Sequence, residues 1–271
     1  MKSDRVDWDT TLSLAVGRAR AAVSKIHQSQ RSRRLGKGAS GDTTLVADRA
    51  AEDAIIKTLR LPGVRVLSEE AGEVGPREST WVAVVDPLDG SSNYSQGIPF
   101  YCASIAVARG PRLSDVEFGI VTDLQSGRTY YAKRGGGAMR DGRRVRPSKE
   151  EKLEDAIVGL DLSRSKGALL SRSTALIPHV RRQVHFGANA LEASMVADGT
   201  LDAFVDLRRT MRVTDVAAAY LIVREAGGRV TDEDGAELDP PLDLKARFGL
   251  VASGNGTLHS ELLALVNRTS A

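Results

Sequence analysis

Between Trp8 and His27 the apolar residues Leu12, Val16, Ala19, Val23 and Ile26 recur at steps of three and four. That spacing lines one face of an α-helix. The stretch that follows, HQSQRSRRLGKGASGD, has no apolar face and carries three glycines, which predicts a mobile, basic loop. Asp48 stands where it would cap a second helix, DRAAEDAIIKTLR, with Ala51, Ile55, Ile56 and Leu59 turned inward.

After Pro62 the texture changes to short β-branched runs: VRVL (64–67), WVAVV (81–85), SIAVA (104–108) and VEFGIV (116–121). These read as strands, and GGGAMRDGRRV from 135 reads as a glycine-rich hairpin turning at Asp141-Gly142. The first half is therefore an α+β unit, two helices on a largely antiparallel sheet. The second half alternates: AIVGL (156–160), a helix over 166–178, VHF (184–186), a helix over 189–198, AFVD (203–206), a helix over 214–226, GLVAS (249–253) and a last helix from about 257. Strands alternating with helices predict a layered α/β half. The charged stretch PSKEEKLED (147–155) is the expected joint, giving one compact unit with subdomains 1–153 and 154–271.

Composition narrows the class. With 271 residues, 41% of them hydrophobic, the chain can bury a large core without disulfides. Its one cysteine, Cys102, excludes an internal disulfide or a cysteine zinc site and suits a reducing compartment. No apolar run approaches the roughly 18 to 20 residues of a membrane span, and MKSDRVDWDT lacks a signal peptide's apolar core, so a cytoplasmic protein without a membrane partner is expected. The net charge of +3 is concentrated in RSRR (31–34), RRVR (143–146) and RR (181–182). Aromatics make up 4% and none is interleaved with these runs, which argues for a solvated surface or steering of small anions over nucleic acid.

The chemistry gathers at three places. In VVDPLDGSSN, Asp86 and Asp89 follow a buried-strand pattern, and Pro87 stiffens the exit. Two carboxylates and the Leu88 carbonyl form the oxygen set that hard cations such as Mg²⁺ prefer, although Asp-Pro and Asp-Gly are also common turn pairs. Gly90, Ser91 and Ser92 can turn the chain and aim N–H groups at an anion. LSEEAG (67–72) also ends an apolar strand; alternation puts at most one glutamate in a cleft, and Glu69 is the candidate. The third place is RVTDVAAAYLIVREAGG (212–228), where Asp215, or Thr214, is equally readable as a plain helix cap. The four histidines fall in none of these motifs.

Together, Asp86-Pro87-Leu88-Asp89-Gly90-Ser91-Ser92-Asn93, the Glu69-Glu70 pair and Asp215-Val216-Ala217-Ala218-Ala219 running to Gly227-Gly228 resemble the inositol monophosphatase and fructose-1,6-bisphosphatase superfamily. The resemblance implies a layered α-β-α-β-α sandwich and a Mg²⁺-dependent phosphomonoesterase, most similar to the archaeal dual-activity type. It implies one Mg²⁺ held by Glu69, Asp86 and the Leu88 carbonyl, a second by Asp86, Asp89 and Asp215, and a weaker third aided by Asp42. It further implies that Asp48 and Ser91 orient the attacking water, that Gly90, Ser91 and Ser92 meet the phosphate, and that Gly187, Asp206 and Arg209 contact the rest of a sugar or polyol phosphate. A homodimer is the usual assembly of such proteins.

Departures from the pattern concern the substrate. Thr214 stands where a tryptophan is common, Val184 where an arginine is expected, and the stretch LRRTMRVT before Asp215 is long and basic, so Arg208, Arg209 or Arg212 are candidates for a second phosphate. Two other readings stay open: hydrolysis of nucleotide-linked phosphates such as 3′-phosphoadenosine phosphates or NADP, for which no aromatic shelf is visible, and a catalytically silent binding protein on the same scaffold.

Overall fold

The computed structural model describes residues 6–268. The first five residues, part of the N-terminal stretch read above for a signal peptide, and the last three lie outside the described residues. Helix α1 (Trp8–Ser24) is followed by strands β1 (Arg34–Lys37) and β2 (Thr43–Leu45), then α2 (Val46–Leu59), β3 (Val64–Ser68), β4 (Gly72–Val74) and β5 (Trp81–Asp89). A short helix, α3 (Ser91–Gln96), leads to β6 (Cys102–Ala108), β7 (Val116–Asp123), β8 (Thr129–Lys133), β9 (Gly137–Arg140) and β10 (Arg143–Arg144). The second half contains β11 (Ile157–Leu160), α4 (Gly167–Thr174), β12 (Arg182–Val184), α5 (Asn189–Ser194), β13 (Ala203–Met211), α6 (Val213–Ala226), β14 (Arg229–Thr231), β15 (Phe248–Ser253) and α7 (Gly256–Arg268).

These elements build five layers. An eight-stranded sheet runs β10-β9-β8-β7-β6-β5-β3-β4, antiparallel except for the β3–β5 pair. A five-stranded sheet runs β12-β11-β13-β15-β14, with β11 parallel to both its neighbours. Three apolar clusters glue the layers. One joins α1 and α2 to the outer face of the large sheet, one holds α5 and α6 between the sheets, and one packs α7 and neighbouring segments on the far face of the small sheet. Strand β5 shows why it sits centrally: Val82 and Val84 enter the middle cluster while Ala83 and Val85 enter the α1–α2 cluster, so both faces are apolar. The expected α-β-α-β-α sandwich is the one observed.

Helix α6 is buried at every position from Val213 to Val223, as a helix enclosed between two sheets must be. It also lies unusually close to β7. A Cβ added at Gly119 would stand 2.8 Å from the Ala218 carbonyl oxygen and 3.1 Å from the Ala218 Cα, so glycine on one side and the alanine run on the other set the spacing.

Several elements differ from expectation. The basic stretch before Asp42 is an antiparallel ribbon, β1 with β2, and not a free loop; its Ala39 and Ser40 N–H groups donate to the Glu70 and Glu69 carbonyls at 2.9 and 3.0 Å. All four β1 residues are exposed, so no alternation marks the strand. Asp48 is not the N-cap of α2, which begins two residues earlier; it caps the helix from the third helical position, its Oδ2 accepting from the Leu45 N–H at 2.5 Å. Strand β12 ends at Val184, two residues before the predicted VHF run does. The hairpin turn is as predicted, with Asp141 at φ 51° and Gly142 at φ 74° joining β9 to β10.

Candidate active site

Where β5 leaves the large sheet, its register with β6 shifts between Asp86, opposite Ser104, and Asp89, opposite Cys102. Three residues of β5 are thereby set against two of β6. Pro87 has no N–H to offer the ladder there, and the bulge offsets the odd spacing that would otherwise send Asp86 and Asp89 to opposite faces. Leu88 sends its side chain into the α1–α2 core while still lining the pocket, as a carbonyl ligand requires. Gly90, at φ 86°, turns the chain into α3. A Cβ there would meet the Phe100 carbonyl at 3.0 Å and the Ala188 Cβ at 3.1 Å.

Other elements bring their acids to the same place. Glu69 follows β3, with its N–H on the Val85 carbonyl at 3.2 Å. Asp215 is the third residue of α6, and its Oδ2 accepts the Arg212 N–H at 2.9 Å. One oxygen from each of Glu69, Asp86 and Asp215 lies within 4.8 Å of the others. They line a pocket of about 520 Å³ shared with Asp42, Asp48, Glu70, Asp89, Ser91, Ser92, Gly187, Asn189 and the arginines Arg34, Arg164 and Arg212. Asp89 is oriented from α5, whose Ala190 N–H donates to its Oδ2 at 2.7 Å.

So many carboxylates around so few cations disfavour ionisation. Burial lifts Asp48 to about 8 against the opposing Leu45 N–H, and burial with the Asp215 charge lifts Asp89 to about 8. Glu69 rises to about 7, burial prevailing over Arg212. Burial and the Glu69 charge hold Asp86 well above the carboxylate range. Burial works against the charge on Arg212, yet Asp215, Glu69 and Asp86 keep its pKa above the arginine value. An all-oxygen donor set that resists holding its own negative charge fits a hard divalent cation, which would supply the missing positive charge.

A family model described as the inositol monophosphatase family matches residues 7–271. The chain belongs to that family. It is 39% identical over 238 residues to the fructose-1,6-bisphosphatase/inositol-1-monophosphatase of Methanothermobacter thermautotrophicus, covering 83% of this chain and 84% of that one. It is 34% identical over 251 residues to a bifunctional NADP phosphatase/NAD kinase of Methanococcus maripaludis, covering 84% of this chain and 43% of that one. The crystal structure of an inositol monophosphatase-fructose 1,6 bisphosphatase superposes with a TM-score of 0.85 at 29% identity, over 97% of this chain and all of that one.

Within this inositol monophosphatase family member, the pocket gathers Asp42, Asp48, Glu69, Asp86, Leu88, Asp89, Gly90, Ser91, Ser92, Gly187 and Asp215 from the sequence candidates. Two candidates lie elsewhere. Asp206 is fully buried and its carboxylate is held by Arg208, with Nε at 2.9 Å and Nη2 at 2.6 Å. Arg209 takes a left-handed backbone at φ 57° and turns to Glu233 and Asp234, the latter at 2.9 Å, so it contacts neither the acids nor the pocket. Of the three basic candidates for a second phosphate, Arg212 lines the pocket while Arg208 and Arg209 are paired with acids outside it.

Glu70 overturns the expectation that at most one of the two glutamates faces the cleft. Both line it, because β3 ends at Ser68 and the turn after it no longer alternates; Glu70 accepts from the Thr44 hydroxyl. Arg34 comes from the basic run RSRR, whereas Arg164 lies in a stretch without a motif. Among the described residues no helix is long and apolar enough to cross a membrane.

Proposed function

We propose that this chain is a Mg²⁺-dependent phosphomonoesterase that hydrolyses inositol-1-phosphate and fructose-1,6-bisphosphate. The observation that carries the reading is the convergence of Glu69, Asp86 and Asp215 oxygens beside Asp89 in one polar pocket. In this reading Glu69, Asp86 and the Leu88 carbonyl hold one ion, Asp86, Asp89 and Asp215 a second, and Asp42 supports a third. Bound there, Mg²⁺ would lower the pKa of a water and stabilise charge on the phosphoryl oxygens.

The chain's own groups divide the remaining work. Asp48 and the Ser91 hydroxyl hold the attacking water. Its oxygen bonds to phosphorus and releases a proton to Asp48, the ester P–O bond breaks on the opposite side, and the leaving alkoxide takes a proton from solvent as Asp48 returns its own, giving the free alcohol and inorganic phosphate. The N–H groups of the first turn of α3, from Ser91 and Ser92, have no carbonyl partner within the helix and donate to phosphoryl oxygens. Arg34 and Arg164 take the place given to Arg209 by sequence, as cations for a second anionic group.

A second reading is favoured by one observation. Phe186, 42% exposed, packs on Phe100 with centroids 4.9 Å apart, next to the pocket residue Gly187. That pair is the aromatic shelf that a nucleotide-linked phosphate would use. Phosphate release from inositol-1-phosphate, fructose-1,6-bisphosphate and NADP, each with Mg²⁺ and with EDTA, distinguishes the two. Release confined to NADP would replace the first reading by the second, and release from none would refute both.

A further inference from the structure

The guanidinium of Arg212 lies among the acids. Its Nη2 is 2.7 Å from Glu69 Oε1, its Nε 3.5 Å from Asp215 Oδ1 and its Nη1 3.0 Å from Asp42 Oδ2. Glu69 and Asp215 are two of the three acids whose oxygens converge. A carboxylate oxygen accepting from a guanidinium is not free to ligate an ion along the same direction, and a divalent cation beside a guanidinium is repelled by it. Arginine and metal therefore compete for the same oxygens.

We propose that Arg212 is the resident counter-ion of this site: it neutralises Glu69 and Asp215 while the metal is away, a divalent cation displaces it from Glu69, and the competition sets the metal affinity. The proposal rests on the metal-dependent reading above. Two further observations support it. The Arg212 backbone is fixed, because its N–H donates to Asp215 Oδ2 at 2.9 Å, so only the flexible side chain has to move. The move also has a destination. Of its three acid partners Asp42 is the most exposed, its side chain 62% accessible against 13% for Glu69 and 12% for Asp215, so the guanidinium can swing toward the mouth without losing every partner.

Arg212 is thus a positioning residue whose effect is on ion occupancy, and its test reads binding and structure. Metal-stripped full-length wild type, Arg212→Gln and Arg212→Lys are titrated with MgCl₂ in a calorimeter. Arg212→Gln should bind its first Mg²⁺ at least about tenfold more tightly, with Arg212→Lys between it and wild type. In EDTA, Arg212→Gln should melt below wild type and gain more from added Mg²⁺. A crystal structure of the wild type with Mn²⁺ should show the guanidinium out of hydrogen-bond range of Glu69.

Tight Mg²⁺ binding by wild type with no tightening in Arg212→Gln would overturn the counter-ion role while leaving the metal reading intact. A guanidinium still bonded to Glu69 beside a bound Mn²⁺ would do the same. No Mg²⁺ binding by wild type would overturn both. If Arg212→Gln does not fold, Arg212→Lys and the Mn²⁺ structure decide the question.

Discussion

Two buried carboxylate clusters, one around Asp206 and one around Asp86, differ in how their charge is answered. Around Asp206 each acid has a basic side chain against it: Arg208 Nη2 is 2.5 Å from Asp161 and 2.6 Å from Asp206, and His185 lies 3.4 Å from Asp161 and 3.2 Å from Glu192. Around Asp86 the acids outnumber the cations, and Arg212 is shared among Asp42, Glu69 and Asp215. Both clusters are largely buried, so burial does not separate them. What separates them is that Asp161, Asp206 and Glu192 each face a basic side chain, whereas Asp48, Asp86 and Asp89 form no ion pair among the described residues. A matched cluster is structure, while an unmatched one is held ready for mobile charge.

The sharpest way to break this comparison is Asp89→Asn. As the loss of a proposed oxygen ligand, it should lower kcat by more than the roughly thousandfold that one lost transition-state donor can cost, measured as phosphate release at saturating Mg²⁺. The same change should raise the melting temperature in EDTA, because it relieves an unmatched buried acid; retained turnover would refute Asp89 as a ligand. Arg208→Met is the opposite manipulation, since it strands Asp161 and Asp206. It should cost about 3 to 5 kcal/mol of unfolding free energy in a urea titration, and a loss near zero would show that the matched cluster is not held by that arginine.

A third test is the pH response. With Asp48 and Asp89 raised to about 8 and Glu69 to about 7, the folded metal-free protein binds more protons than the unfolded chain. Stability in EDTA should therefore fall as pH rises from about 4, the unfolded carboxylate value, to about 8, and level off above that. Mg²⁺ should restore more at pH 8 than at pH 6. A metal-free melting temperature that rises across this window would show that the acids are matched after all.

Much of this was legible in the chain. Strand β5 announced itself through WVAVV, while DPLDGSS was readable as a cation-binding exit or as an ordinary acidic turn until Glu69 and Asp215 stood beside it. Runs of strands followed by alternation marked the α+β and α/β halves, and the family resemblance implied the five layers. What stayed hidden depends on local breaks in periodicity. Glu70 enters the pocket because β3 stops one residue before the pair, and the β1–β2 ribbon shows no alternation because every β1 residue is exposed. LRRTMRVT could not show which arginine turns inward, since the left-handed backbone at Arg209 and the β13 register shift after Asp206 are tertiary outcomes.

The close contact between Gly119 and Ala218 acquires a different meaning beside these charges. Asp86 is carried by the large sheet and Asp215 by α6, so their separation is a matter of how deeply the helix seats on the sheet, and the contact at Gly119 limits that depth. The tolerance of an ion site is thus calibrated by an uncharged contact outside it: a single methyl group at residue 119 would act like a shim, and the acids would register its thickness.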